Sequence, residues 1–230
     1  YRAGSWVSGK TKLDILLVSL AVCAVAWVVC AFLNPPVVVA VNAVGQGIQA
    51  ATELQPLLMG IVIAVVVGIL LTLPTSSAAI CIAIGLGGLA GGAAVVGCAA
   101  HMIGFAVASF KDNGFSGVIS QGLGTSMLQI PNVLKKPIIL LPAVIASAIV
   151  GPIATVIFEL ACTATGAGMG TAGLVGVFGV IEASQALMTT TELWTAIILL
   201  MFVLPAIIAW TVAYLMRRMG WLVAGDMKLP

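Results

Sequence analysis

The feature that most limits the fold is a succession of long apolar runs. Residues 13–33, 57–73, 93–110, 138–160 and 193–216 carry almost no charge. A helix of about 20 apolar residues matches the hydrocarbon thickness of a bilayer. None of the runs shows the ten-residue alternation of a membrane barrel strand. In lipid every backbone N–H and C=O needs a partner within the protein, and a helix supplies these inside its own segment. The expected fold is therefore all-α, a polytopic transmembrane helical bundle with room for about six to eight crossings.

Charge agrees with this. Only 7% of the 230 residues are charged and 62% are hydrophobic, against about 25% and 45–50% in soluble domains. Lys10 and Lys12, Lys135 and Lys136, and Arg217 and Arg218 sit in short clusters between apolar runs, as loop anchors do; Lys10, Lys12, Arg217 and Arg218 read as cytoplasmic, and Lys135 and Lys136 mark a loop. No basic stretch is interleaved with aromatics, so nucleic acid is not an expected partner. No signal peptide is read. Tyr1 stands where an initiator methionine would, and an N-terminal part is expected ahead of it. The five cysteines form no CxxC pair and read as small hydrophobes. With one histidine and no P-loop, neither a metal nor a cofactor is expected.

Two interruptions break the apolar pattern. The run at 57–73 leads into Pro74-Thr75-Ser76-Ser77, then a short Gly-rich helix at 77–89, then the span at 93–110. The run at 138–160 leads into a Thr- and Gly-rich break at 162–173, then a short apolar piece to Ala183, then the span at 193–216. Irregular backbone at membrane depth survives only where protein or a wet cavity satisfies it. Paired interruptions in two halves point to a transporter binding site. The reading is one permease domain over 1–230, with halves at about 13–114 and 115–230, two interrupted or re-entrant segments and a possible internal structural repeat. Small residues that merely let helices pack closely would leave the same trace.

The candidate site residues follow from these breaks. Thr75 and Ser76 offer hydroxyls beyond what capping after Pro74 uses, with Ser77 beside them. Gly168, Gly170 and Thr171 sit in Gly168-Met-Gly-Thr-Ala-Gly173, which matches GxGxxG but lacks the strand and βαβ unit of a dinucleotide site. A helix start with bare glycines suits hydroxyl or anionic oxygens. His101, Glu159 and Glu182 are ionisable residues in or beside apolar runs. His101 reads as a substrate ligand, a proton relay or a satisfied interior histidine; the two glutamates read as site carboxylates or interfacial ones. Gln121, Thr125, Gln129 and Asn132 recur at spacings of four, four and three, on one face of a helix over 115–131. That face lines a polar cavity or lies wet on the surface. No arrangement resembles hydrolytic or redox catalysis.

The segments LTLPTSSAAI, GLAGGAAVVGCAAHMIGFAVASFKDNG, QGLGTSMLQIPN and GAGMGTAGLVG together resemble the enzyme IIC-like sugar permeases of the phosphotransferase system. The likeness runs from about residue 13 to Asp226 and corresponds to the C-terminal two-thirds of that family's length. It implies a bacterial inner-membrane permease, a homodimer, moving a small polar solute by alternating access. Any phosphoryl transfer would need separate IIA and IIB phosphocarrier proteins, since no such soluble domain is present. Two other readings stay open: a proton-coupled carrier of a non-sugar solute, and a non-transporting membrane scaffold or sensor subunit.

Overall fold

The computed structural model describes residues 45–229, together with residues 23, 39 and 43. The chain divides into two units, Tyr1–Val44 and Gly45–Pro230, and the second of these forms the helical bundle. Apart from Cys23, the expected span at 13–33 lies outside the described residues.

After a helical segment at 45–54, helix α1 (Pro56–Thr72) starts on a proline whose missing N–H costs nothing in a first turn. Pro74 ends the apolar run, and Ser76 caps α2 (Ser77–Ala83) by accepting from the Ala79 N–H. Helix α3 (Gly88–Ala108) follows. Next come α4 (Phe110–Ile119), a π-helical turn at Ser120–Gly124, a 3₁₀ turn at Ser126–Gln129 and α5 (Ile130–Lys135). A 3₁₀ turn at Pro137–Leu140 runs straight into α6 (Leu141–Pro152). A π-helical turn at Ile153–Ile157 follows directly on Pro152, which cannot donate to the ladder.

The second break holds α7 (Ala164–Ala167), a 3₁₀ turn at Ala172–Leu174 and α8 (Val175–Ser184). Helix α9 (Thr190–Ala196) opens on a capping box between Thr189 and Glu192, then passes through a π-helical stretch, Ile197–Val203, into α10 (Leu204–Arg218). Among the described residues three continuous helices are long and apolar enough to cross a membrane: Gly88–Ala108, Pro137–Ile157 and Thr190–Arg218. Pro56–Thr72 and Ala172–Ser184 are shorter apolar helices.

Helix α3 is the centre. Its small residues let α1, α6 and α10 approach it closely, as membrane bundles require when apolar burial gives no drive between helices. A Cβ on Gly97 would strike the Ala64 backbone, and one on Gly151 would strike the Gly60 carbonyl. Gly104 packs on Ala143 and Ala209. Large apolar side chains point outward, among them Phe115, Ile157, Phe178 and Ile198. In water such a surface would aggregate; against lipid chains it is the expected wall.

Contacts give each element its direction. Gly68 and Thr72 of α1 lie beside His101 of α3, and Ala64 lies beside Gly97, so α1 runs parallel to α3. Gly60 meets Gly151, and the Thr155 hydroxyl donates to the Pro56 carbonyl, so α6 runs against α1. At Pro74 the chain turns back: α2 returns towards the level of Gly88, whose carbonyl accepts from the Cys162 N–H. The second break does the same. Gly168 packs on Ser77 and Gly170 on Cys98, the chain reverses at Gly173 and Leu174 (both left-handed), and α8 climbs back until Ser184 bonds both backbone groups of Ala161. The fold thus contains two hairpins that enter from one end of the bundle.

The opposite end collects cations. Arg217 reaches Asp112 and the Ala108 carbonyl, and Lys136 pairs with Asp226. Every lysine and arginine after residue 44 lies in the stretches 111–136 and 217–228 that meet there. Glu159, just past the far end of α6, Glu182, in the last turn of α8, and Glu192, in the first turn of α9, lie away from that end.

Candidate functional site

The two hairpin tips meet at the level of His101. Ser77 Oγ donates to the Gly168 carbonyl at 2.6 Å, joining residues 91 positions apart. Beside this contact is an open recess of about 560 Å³. Leu71 and Pro74 to Ala78 form one wall, Met169 and Ala172 another, and Gly124, Thr125 and Met127 the third. No charged residue lines it.

Each hydroxyl has a defined state. Thr75 Oγ1 donates to the Leu70 carbonyl at 2.9 Å, which leaves it accepting lone pairs. Ser76 Oγ accepts from the Ala79 N–H, and Thr125 Oγ1 from the Met127 N–H, so both keep their proton for another partner. Ser77 Oγ is committed to Gly168. The recess therefore offers O–H donors and an acceptor without a formal charge.

Behind this wall lies a buried chain of hydrogen bonds. Thr72 Oγ1 is 3.0 Å from Ser126 Oγ and 3.1 Å from His101 Nδ1, and sits 3.3 Å from the Gly68 carbonyl. All three side chains are buried. His101 Nε2 has no hydrogen-bond partner among the described residues. Gly68 makes room for the ring, since a Cβ there would strike it. The histidine is thus one layer inside the recess, linked to it through Thr72 and through Ser126, the neighbour of two lining residues.

The remaining candidates fall into three places. Gly168, Gly170 and Thr171 form the packed root of the second tip: glycine lets 168 and 170 touch backbone of α2 and α3, and Thr171 Oγ1 donates to the Gly122 carbonyl at 2.6 Å. Gln121, Gln129 and Asn132 do not share one helix. A π turn, an extended Thr125 (φ −160°, ψ 144°) and a 3₁₀ turn separate them. Their amides form a relay that clasps the C-terminal segment: Gln129 Nε2 donates to Gln121 Oε1 and to the Met227 carbonyl, both at 2.9 Å, and Asn132 Nδ2 to the Lys228 carbonyl. Gln121 Nε2 donates to Ser109 Oγ. Glu159 is exposed at the far end, with a left-handed φ of 45°, and Glu182 is exposed too. The structure brings Pro74 to Ser77 together with Thr125, sets His101 behind them, and does not bring Glu159, Gln121, Gln129 or Asn132 to the recess wall.

Reading by sequence missed Thr72, Met127 and Met169. Thr72 looked like the end of an apolar run, and the methionines like ordinary hydrophobes. Only the hairpin geometry gives them a place.

The sequence model of the family described as Phosphotransferase system, EIIC matches residues 1–229. No curated protein and no solved structure matches the chain. The helical, strand-free fold of the described residues and its membrane-length helices agree with that family match. With all but one of 230 residues covered, the chain belongs to the EIIC family and is a membrane transport component of the phosphotransferase system.

Proposed function

We propose that this chain is a multi-pass permease of the bacterial inner membrane that moves a small, uncharged polar solute, a sugar or sugar-like compound, by alternating access. The recess between the hairpin tips carries the reading. Its volume falls within the roughly 300–1,000 Å³ of ligand sites. Its polar groups are hydroxyls on Thr75, Ser76 and Thr125, with no carboxylate or cation among the lining residues. Such a wall exchanges hydrogen bonds with solute hydroxyls, and Met127 and Met169 supply the apolar surface for a ring face. A charged solute would enter without a counter-charge, at a cost of several kcal/mol.

The cationic end of the bundle faces the cytoplasm by the positive-inside rule. Both hairpins then enter from the outer side, and the segment 115–129 rises from the cytoplasmic side to meet them. Rocking of the hairpin-bearing part against that segment would open the recess to either side. Two copies assemble as a homodimer, and separate IIA and IIB phosphocarriers supply the phosphoryl group.

The test is uptake by purified protein in liposomes against a panel of labelled neutral sugars, polyols and charged solutes. Uptake of a neutral polyhydroxylated solute, reduced in Ser76→Ala and Thr125→Val variants that insert normally, is the expected result. Uptake that collapses with the proton gradient, independent of any phosphocarrier, would establish the proton-coupled carrier instead. No uptake of any solute by correctly inserted protein would overturn transport.

A further inference from the structure

A second cavity lies at the cationic end, away from the recess. It is a groove of about 150 Å³ between the end of α3, the start of α4 and the last turns of α10. Val107 and Ala213 form its floor, Phe110 and the pair Trp210–Tyr214 its walls, and Lys111 and Arg217 its rim. The two α10 aromatics stack with centroids 5.6 Å apart at 17°. They are about half exposed, and so is Phe110.

The rim is positive. Arg217 Nη2 donates to the Ala108 carbonyl at 3.2 Å and to Asp112 Oδ2 at 2.9 Å, which holds the guanidinium in place. Its Nη1 and Nε have no partner among the described residues. Lys111 is exposed and pairs with none of the described carboxylates. Lys111 and Arg217 against Asp112 leave one surplus positive charge. Basic residues near helix C-termini also offset the helix dipole. Arg218 does that on the same turn without lining the groove, so the dipole alone does not account for this arrangement.

Below the rim, the outer face of α10 and of the π-helical stretch before it continues as Tyr214, Trp210, Ile207 and Val203, at spacings of four, three and four, all exposed. A fixed guanidinium and a lysine at headgroup level, above an aromatic groove and an aliphatic stripe descending into the bilayer, match a molecule with a phosphate at one end and a hydrocarbon chain at the other. Basic pockets between membrane helices on the cytoplasmic side take anionic headgroups.

We propose that this groove binds an anionic phospholipid. Arg217 and Lys111 hold the phosphate, Trp210 and Tyr214 pack on the glycerol region, and one acyl chain lies along Ile207 and Val203. The site is independent of the transport reading, because its readout is lipid retention.

The test is native mass spectrometry of the full chain in delipidated detergent micelles, titrated with phosphatidylglycerol, phosphatidylcholine and soluble glycerol phosphate. Phosphatidylglycerol should be retained in preference to phosphatidylcholine. Lys111→Gln should lower its retention about fivefold, the scale of one basic residue at an anionic lipid surface. Arg218→Gln should leave retention unchanged. Equal retention of both lipids, or equal losses in the two variants, would overturn the proposal and leave only a diffuse basic surface. Displacement by soluble glycerol phosphate at matched concentration would reduce the groove to an anion site and overturn the lipid assignment. A groove that retains no lipid, while Lys111→Gln loses binding of an added soluble phosphocarrier, would assign the surface to protein docking instead.

Discussion

Ser77 and Gly168 join the two interruptions of the fold: the serine hydroxyl donates to the glycine carbonyl at 2.6 Å, and the contact is buried. Each residue sits near the tip of a hairpin that enters from the same end of the bundle. Gly168 has no side chain because the Ser77–Ala78 backbone occupies the place a Cβ would take. The recess opens beside this joint.

Ser77→Ala leaves the buried Gly168 carbonyl without that donor. The expected loss is about 1–3 kcal/mol of stability, read as a lower thermal midpoint of the purified protein in detergent. An unchanged midpoint would mean that the hairpins are held by their glycine contacts alone.

Thr72 is the branch point between Ser126 and His101. Thr72→Val keeps the shape and removes the hydroxyl, which strips the imidazole of its one described partner. A loss of about 1–3 kcal/mol is expected, while Thr72→Ser should restore most of it. Equal midpoints for the valine and serine variants would show that the hydrogen bond adds nothing to stability.

The crossing of α1 and α3 depends on Gly97, where a Cβ would strike the Ala64 carbonyl. Gly97→Leu is expected to abolish monodisperse protein, since overpacking here must move backbone. Gly47, in the helical segment 45–54, meets nothing within 4 Å. Gly47→Ala should be neutral or stabilising by up to about 1 kcal/mol, from helix propensity alone. Size-exclusion profiles and thermal midpoints of both variants check this.

The C-terminal segment is clasped in part by Asp226. The Lys136 ammonium at 2.6 Å, then the Val223 N–H at 2.7 Å, hold its carboxyl below the usual aspartate range. A carboxyl whose pKa is lowered on folding contributes stability that is complete above its unfolded value. That stability is lost as the pH falls through the folded one. The clasp should therefore hold at neutral pH and loosen below about pH 4. The ion pair is partly exposed, so its worth is about 0.2–1 kcal/mol. Hydrogen-exchange protection at residues 223–229, corrected for intrinsic exchange and followed against pH, should show the change, and Asp226→Asn should remove the part due to this carboxyl while the Asp112 contact with the Gly225 N–H remains.

If the recess is the solute site, Thr125→Val should cut uptake about tenfold, the worth of one lost hydrogen bond. Glu159→Gln, at the exposed far end, should change it less than about twofold. The reverse order would move the site to the second break's outer mouth.

How much of this could be read from residues alone differs from place to place. Pro74 and the glycines of 168–173 announce breaks because backbone chemistry is local: a missing N–H or Cβ acts wherever it stands. The polar repeat at 121, 125, 129 and 132 misled for the opposite reason. Regular spacing implies one helix only if the backbone stays helical, and here Thr125 is extended. Its amides answer to the backbone of residues 227 and 228, a hundred positions away, which no periodicity reveals. His101 was visible as an ionisable residue in an apolar run, but its partner Thr72 was not, because a lone threonine in a long helix carries no signal.

The class of the protein is written in its residues: apolar length, sparse charge and internally bonded backbone allow a helical membrane bundle and little else. The chain also marks where that bundle is interrupted. The tertiary structure alone decided that both interruptions are hairpins from one side, that their tips touch, and which hydroxyls remain unspent there. Hydropathy and propensity are sums over neighbours in the chain, whereas a recess is made by side chains far apart in it, brought to one depth by the close glycine crossings on α3.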